Sequence, residues 1–112
     1  MLKLDKHLQY QMNHFHGGYF DFIYKINEVL EYNNIKESFY NDAVKVIKDK
    51  KENIAYDLTR NENYELYKIA FNMVTLINEK NKKLGEHLNK VLSVIICETS
   101  TIVKNYNPSA SC

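Results

Sequence analysis

Residues 78–83 read NEKNKK, a wholly polar stretch between two apolar stripes, and the fold turns on whether a helix runs through it. Upstream, Leu66, Ile69, Ala70, Met73, Leu76 and Ile77 recur at steps of three and four, the period of a helix with one buried face. Downstream, Leu84, Leu88, Val91, Leu92, Ile95, Ile102 and Val103 continue the same way, ending near Tyr106 with Pro108 beyond. Ala70, Ile77, Leu84 and Val91 also lie a heptad apart, so the two stripes could belong to one rod of about 45 residues, ~67 Å long at 1.5 Å per residue. Such a rod outgrows one small globule and forces a dimer or filament through a long C-terminal helix. We read NEKNKK as a break, which folds the two helices back on each other.

Working toward the N-terminus, Ile35, Phe39, Ala43, Val46 and Ile47 mark a third helix, and Ile54 and Leu58 carry its spacing on toward Arg60. Asn61 or Asn63 then caps the next helix. Asn34 followed by Glu37 predicts a capping-box-like start for helix three, the acid favouring the positive helix end. The second helix carries Tyr19, Phe22, Ile23, Ile26, Val29 and Leu30, stopping at Asn33-Asn34. Leu4, Leu8 and Phe15 predict a first helix over 2–15, ended by Gly17 and Gly18. The branched run VLSVIIC has strand character, but helical spacing on both sides outweighs it. The expected architecture is all-α: residues 1–112 as one domain, an up-down bundle of four main helices plus a short N-terminal one.

At 112 residues the chain can bury roughly two thirds of its unfolded surface, so it needs neither metal nor disulfide as a staple. Fifteen basic against fourteen acidic residues leave it nearly neutral, and Arg60 is the sole arginine. The planar fork that grips phosphates and guanine edges is therefore almost missing. The longest apolar run, Val91 to Cys97, is far short of the ~20 residues a membrane span requires, and MLKLDKHLQYQ has no apolar signal core. We expect a cytoplasmic protein, with Cys97 and Cys112 as thiols. Abundant Lys, Asn, Ile and Tyr have AT-rich codons, an origin clue toward an AT-rich bacterium, phage or mobile element.

Chemistry-bearing motifs are few. There is no G-x-G-x-x-G, Walker lysine, H-E-x-x-H or C-x-x-C, and no glutamate has a histidine three places on, as di-iron bundles need. Arg60 is followed by NENYELY, without the histidine of helical nucleotide-nuclease motifs, and a single arginine does not make the anion clamp of a chorismate-mutase-like bundle. His87 and Cys97 are ten residues apart, with the thiol in an apolar stretch. We expect no enzyme and no cofactor.

His7, Gln11 and His14 share one helical face with His16 close behind, so His7, His14 and His16 are the candidates for a metal or small-ligand site. The plainer reading is a helix end, with the imidazoles donating to its last carbonyls. Lys48, Lys50 and Lys51, with Lys80, Lys82 and Lys83, form two basic clusters diluted by Asp49, Glu52 and Glu79, which disfavours nucleic acid as partner. The nine tyrosines are more distinctive. Several flank the apolar stripes, where a ring half-buries with its hydroxyl wet, the habit of interface anchors. Tyr64 and Tyr67, three apart on one face, are the leading pair, followed by Tyr56 and Tyr40. The primary expectation is a non-catalytic protein-binding module: an adaptor, inhibitor or assembly subunit, with a homodimer among the partners. In length and in its helical, Lys/Tyr/Asn-rich character the chain resembles small bacteriocin immunity bundles, a likeness that covers no motif and assigns no residue.

Overall fold

In the computed structural model, residues 2–52 and 60–99 are described, with side chains for 2–50 and 64–97. They form five helices: α1 (Lys6–Asn13), α2 (Tyr19–Tyr32), α3 (Ser38–Glu52), α4 (Arg60–Lys80) and α5 (Lys82–Thr99). No strand occurs among the described residues, and VLSVIIC lies wholly inside α5. The proposed run of helix three through Ile54 and Leu58, the tail beyond Thr99, and Tyr56 lie outside the described residues.

The NEKNKK stretch breaks the helix at a single residue, Asn81. Its amide donates to the Ile77 carbonyl at 2.7 Å, closing α4, while its side-chain Oδ1 accepts from the Leu84 amide at 3.1 Å, opening α5. One asparagine thus serves both ends, the second role being that of an N-cap. Laid end to end, α4 and α5 would reach ~60 Å at 1.5 Å per residue. The longest dimension of the molecule is 42 Å, so they fold back as a hairpin. A Cβ built on Gly85 would stand 2.4 Å from the Asn78 Cα, which locates the tightest approach of the two helices just inside the turn. The heptad register of Ala70, Ile77, Leu84 and Val91 therefore reflects two helices facing one core: the first three are buried and Val91 packs against them.

That core is built around α2, whose Phe22, Ile23, Ile26 and Val29 are fully buried, with Leu66, Ala70, Met73 and Ile77 from α4 and Leu88, Leu92 and Ile95 from α5. The outlier on α2 is Asn27, 8% exposed, with an Oδ1 that has no hydrogen-bond partner. A buried acceptor left unmade costs about 1–3 kcal/mol. Asn27→Leu is accordingly expected to raise stability by about 1 kcal/mol, read as a higher urea midpoint at unchanged slope. A lower midpoint would mean that the carboxamide is held by a contact worth more than its desolvation.

The N-terminal third departs from the expected helix boundaries. The first helix spans 6–13 rather than 2–15, because the Asp5 carboxylate takes the Leu8 amide at 2.7 Å and caps the helix there. Ahead of it the chain is extended and clamped by Asn33, which accepts from the Lys3 amide at 2.7 Å and donates to the Lys3 carbonyl at 2.9 Å. The clamp seats Leu2 in the core. Asn34 does not start α3. Its φ of 56° is left-handed, its amide donates to the Glu31 carbonyl at 3.0 Å, and the Ile35 amide reaches back to Leu30 at 2.9 Å. These are the two bonds of a Schellman ending to α2, with Ile35 packed on the core beyond it. α3 then begins at Ser38. Similarly, Gly17 and Gly18 act after α1 has ended: Gly17, with φ of 154°, turns the corner, and the Gly18 carbonyl accepts the Phe22 amide at 3.1 Å to open α2. Asn61 and Asn63 both lie within α4, which already includes Arg60.

Candidate functional site

Two surfaces gather the chemistry-bearing side chains. The first is a ridge on α4. Tyr64 and Phe71 are 61% and 48% exposed, and half-buried Tyr67 stands between them. Their ring centroids form a chain, Tyr64 to Tyr67 at 6.5 Å and Tyr67 to Phe71 at 6.1 Å. Tyr67 also meets the buried Tyr19 of α2 edge-on at 6.3 Å, which roots the ridge in the core. The spacing of three and then four residues keeps the rings on one helical face. Beside them Lys68 lies over the Tyr64 ring at 4.9 Å and bonds Glu65 at 2.9 Å. The hydrogen bond that ammonium donates to Glu65 holds its pKa above the ordinary lysine value, opposed by desolvation and aided by the charges of Glu65 and Tyr64.

The structure brings Tyr64 and Tyr67 together and places Tyr40 elsewhere. The Tyr40 hydroxyl donates to Glu31 Oε1 at 2.7 Å, and this bond, then burial, then the glutamate charge raise its pKa above the usual phenol value. Glu31 and Tyr19 are twelve residues apart on α2, so Tyr40 is ~18 Å along that axis from the ridge. Phe71 completes the row and was not among the expected anchors, although its position seven residues after Tyr64 is a signal the sequence contains.

The second surface is the corner HFHGGYF, residues 14–20. His14 Nδ1 bonds the Tyr10 carbonyl at 3.0 Å, and its ring stacks on Tyr10 at 4.2 Å between centroids. This is the expected imidazole at a helix end. The neighbouring Met12 carbonyl is met at 2.9 Å by Nε2 of His87, which reaches from α5 across 75 residues of sequence. His7 is occupied differently, its Nε2 facing the Gln11 amide nitrogen at 3.0 Å. Among the described residues no three His, Cys, Asp or Glu side chains converge to hold a metal ion. The His7, His14 and His16 constellation is therefore not assembled as a ligand set: His7 turns to Gln11 and His14 to its own helix. Nor do His87 and Cys97 form a nucleophile and base, since ten residues of α5 put ~15 Å between them along the axis.

The basic clusters stay apart. Lys50 lies over the Phe20 ring at 3.7 Å, near the end of α2 where Tyr19 meets Tyr67, whereas Lys80 is thirteen residues or ~20 Å further along α4. No single basic stripe joins them. No helix among the described residues is long and apolar enough to cross a membrane.

What fold and site define together is a small all-helical protein with an aromatic ridge and a histidine-bearing corner. No protein-family model, curated protein or solved structure matches the chain.

Proposed function

We propose that this chain is a non-catalytic protein-binding module whose contact surface is the α4 ridge of Tyr64, Tyr67 and Phe71. The observation that carries the reading is the exposure of two large rings in one row, backed by a third that is anchored on Tyr19. Aromatic side chains supply contact area at low conformational cost and dominate binding energy when a partner buries them. Beside the ridge Lys68 is already engaged by Glu65, so that cation presents a partner with no unmet charge. An adaptor, inhibitor or assembly subunit working inside its own cell fits a surface of this kind, and an AT-rich phage or mobile element fits the composition.

The test is capture of a partner from the source cell by the wild type and by Tyr64→Ala with Phe71→Ala. Both positions are exposed, so the double variant is expected to keep its fold by circular dichroism. Loss of two anchoring rings is expected to cost about 2 kcal/mol each, and hence to abolish capture. Undiminished capture would remove the ridge from the interface. Light-scattering mass on the same pair distinguishes a second copy of this chain as partner, because a dimer built on the ridge becomes monomeric in the variant.

A further inference from the structure

The corner carries a second site that the ridge does not explain. Two cavities flank it and share Phe15 and His16 as their common wall. One, of about 440 Å³, is walled by Tyr10, Gln11, His14, Asp21, Tyr24 and Lys25, and the other, of about 290 Å³, by Val91, Val94 and Ile95 of α5 with Gly17. Together they make two adjoining troughs, the larger bearing the charged and amide side chains and the smaller the aliphatic ones of α5, in the size range of small-ligand sites.

The larger trough carries one acidic and one basic side chain, Asp21 and Lys25, and the acid is the less compensated of the two. Lys25 is compensated by Glu28 at 3.9 Å and turned over the Tyr24 ring at 5.8 Å. Asp21 has no ion pair among the described residues, and its carboxylate lies over Gly17, where a Cβ would come within 3.0 Å of Oδ2. It stands where the two troughs meet. Nδ1 of His14 donates to the Tyr10 carbonyl, which fixes the ring on the rim of this trough. Gln11 Oε1, in the same wall, is buried and has no hydrogen-bond partner. The stacked Tyr10 and His14 rings, with Tyr10 63% exposed, add a π face to the rim. A carboxylate beside an aromatic platform is what a planar, multi-donor cation needs.

We propose that the corner binds a guanidinium or amidinium group carrying an apolar arm, the cation against Asp21 and the Tyr10–His14 stack and the arm between Phe15 and Val94. That group is available from a free small molecule or from an arginine beside an apolar residue on another protein. The test is an amide NMR titration of the full chain with benzamidine, with benzoate as the opposite-charge match and an Arg-Leu peptide as the protein-borne source. Benzamidine is expected to shift residues 10–25 and 91–95 and to leave 64–71 unmoved. Asp21→Asn, on an exposed position, is expected to weaken it about tenfold, the loss of one charge-assisted contact. Tighter binding of the peptide than of benzamidine assigns the site to a protein-borne arginine, and weaker binding to a free ligand. No shift with millimolar benzamidine, equal binding of benzoate, or an unchanged affinity in Asp21→Asn would each overturn the proposal. Because the Tyr64→Ala, Phe71→Ala protein should bind benzamidine normally, failure of the ridge and failure of the corner are read separately.

Discussion

Phe22→Ala is expected to destabilise the protein by about 3–5 kcal/mol, the largest effect of any single substitution considered. Phe22 is fully buried in the first turn of α2, and its ring takes Phe15 edge-on at 5.6 Å. Truncation removes the transfer energy of the ring, leaves a cavity, and gives up a contact worth about 0.5–1.5 kcal/mol beyond its area. A chain of this size has a total stability on the order of 5–15 kcal/mol, so a large share is lost and the melting temperature should fall by about 12 °C or more. Phe22→Leu keeps most of the volume and is expected to cost much less. Equal, small losses for both in a urea titration would show that Phe22 is not enclosed. Phe15, which walls both corner cavities, loses its support in the alanine variant, so benzamidine binding should weaken there too.

Gly85→Ala comes second, and its sign is set by two opposing terms. Alanine inside a helix gains about 1 kcal/mol over glycine from propensity. Against this, the new methyl would stand 2.4 Å from the Asn78 Cα, 2.5 Å from its Cβ and 2.6 Å from its Oδ1. A side-chain rotation cannot clear a backbone atom, so α4 and α5 must separate next to the turn that joins them. Overpacking of this kind costs about 1–3 kcal/mol, and with the new methyl against a backbone atom it should win with a net loss of about 1–2 kcal/mol. Thermal melts of the variant should therefore shift down by about 4–8 °C. A rise instead would mean that the hairpin is looser at its turn than the Gly85–Asn78 approach implies. Gly18 is the control: a Cβ there meets nothing within 4 Å.

Periodicity carried most of the fold because it reports burial directly. The stripes of α2, α4 and α5 became the core, and the polar content of NEKNKK located the turn at Asn81. Helix ends were less legible because the same residue types serve several purposes. Asn34 with Glu37 has the spacing of a start, yet the left-handed backbone at Asn34 makes it an ending, and only the pairing of Ile35 with Leu30 separates the two. Leu4 fits a helical stripe, but Asp5 caps the helix at the Leu8 amide and Asn33 holds the Lys3 backbone ahead of it. At the ridge, the pairing of Tyr64 with Tyr67 followed from local spacing, whereas the separation of Tyr40 depended on how α3 crosses α2. The corner was conspicuous in composition. Its neighbours on α5 were not: Val91 and Ile95 read as ordinary core positions, and Val94 falls outside the stripe.

The hydrogen bond from His87 to the Met12 carbonyl gives this small molecule a direction in time. During synthesis the N-terminal segment leaves the ribosome well before the imidazole that secures it, with 75 residues between them. Until α5 arrives, the end of α1 lacks that anchor, and the trough formed by Phe15, His16 and Val94 has only one bank. A helix translated late thus completes one translated early.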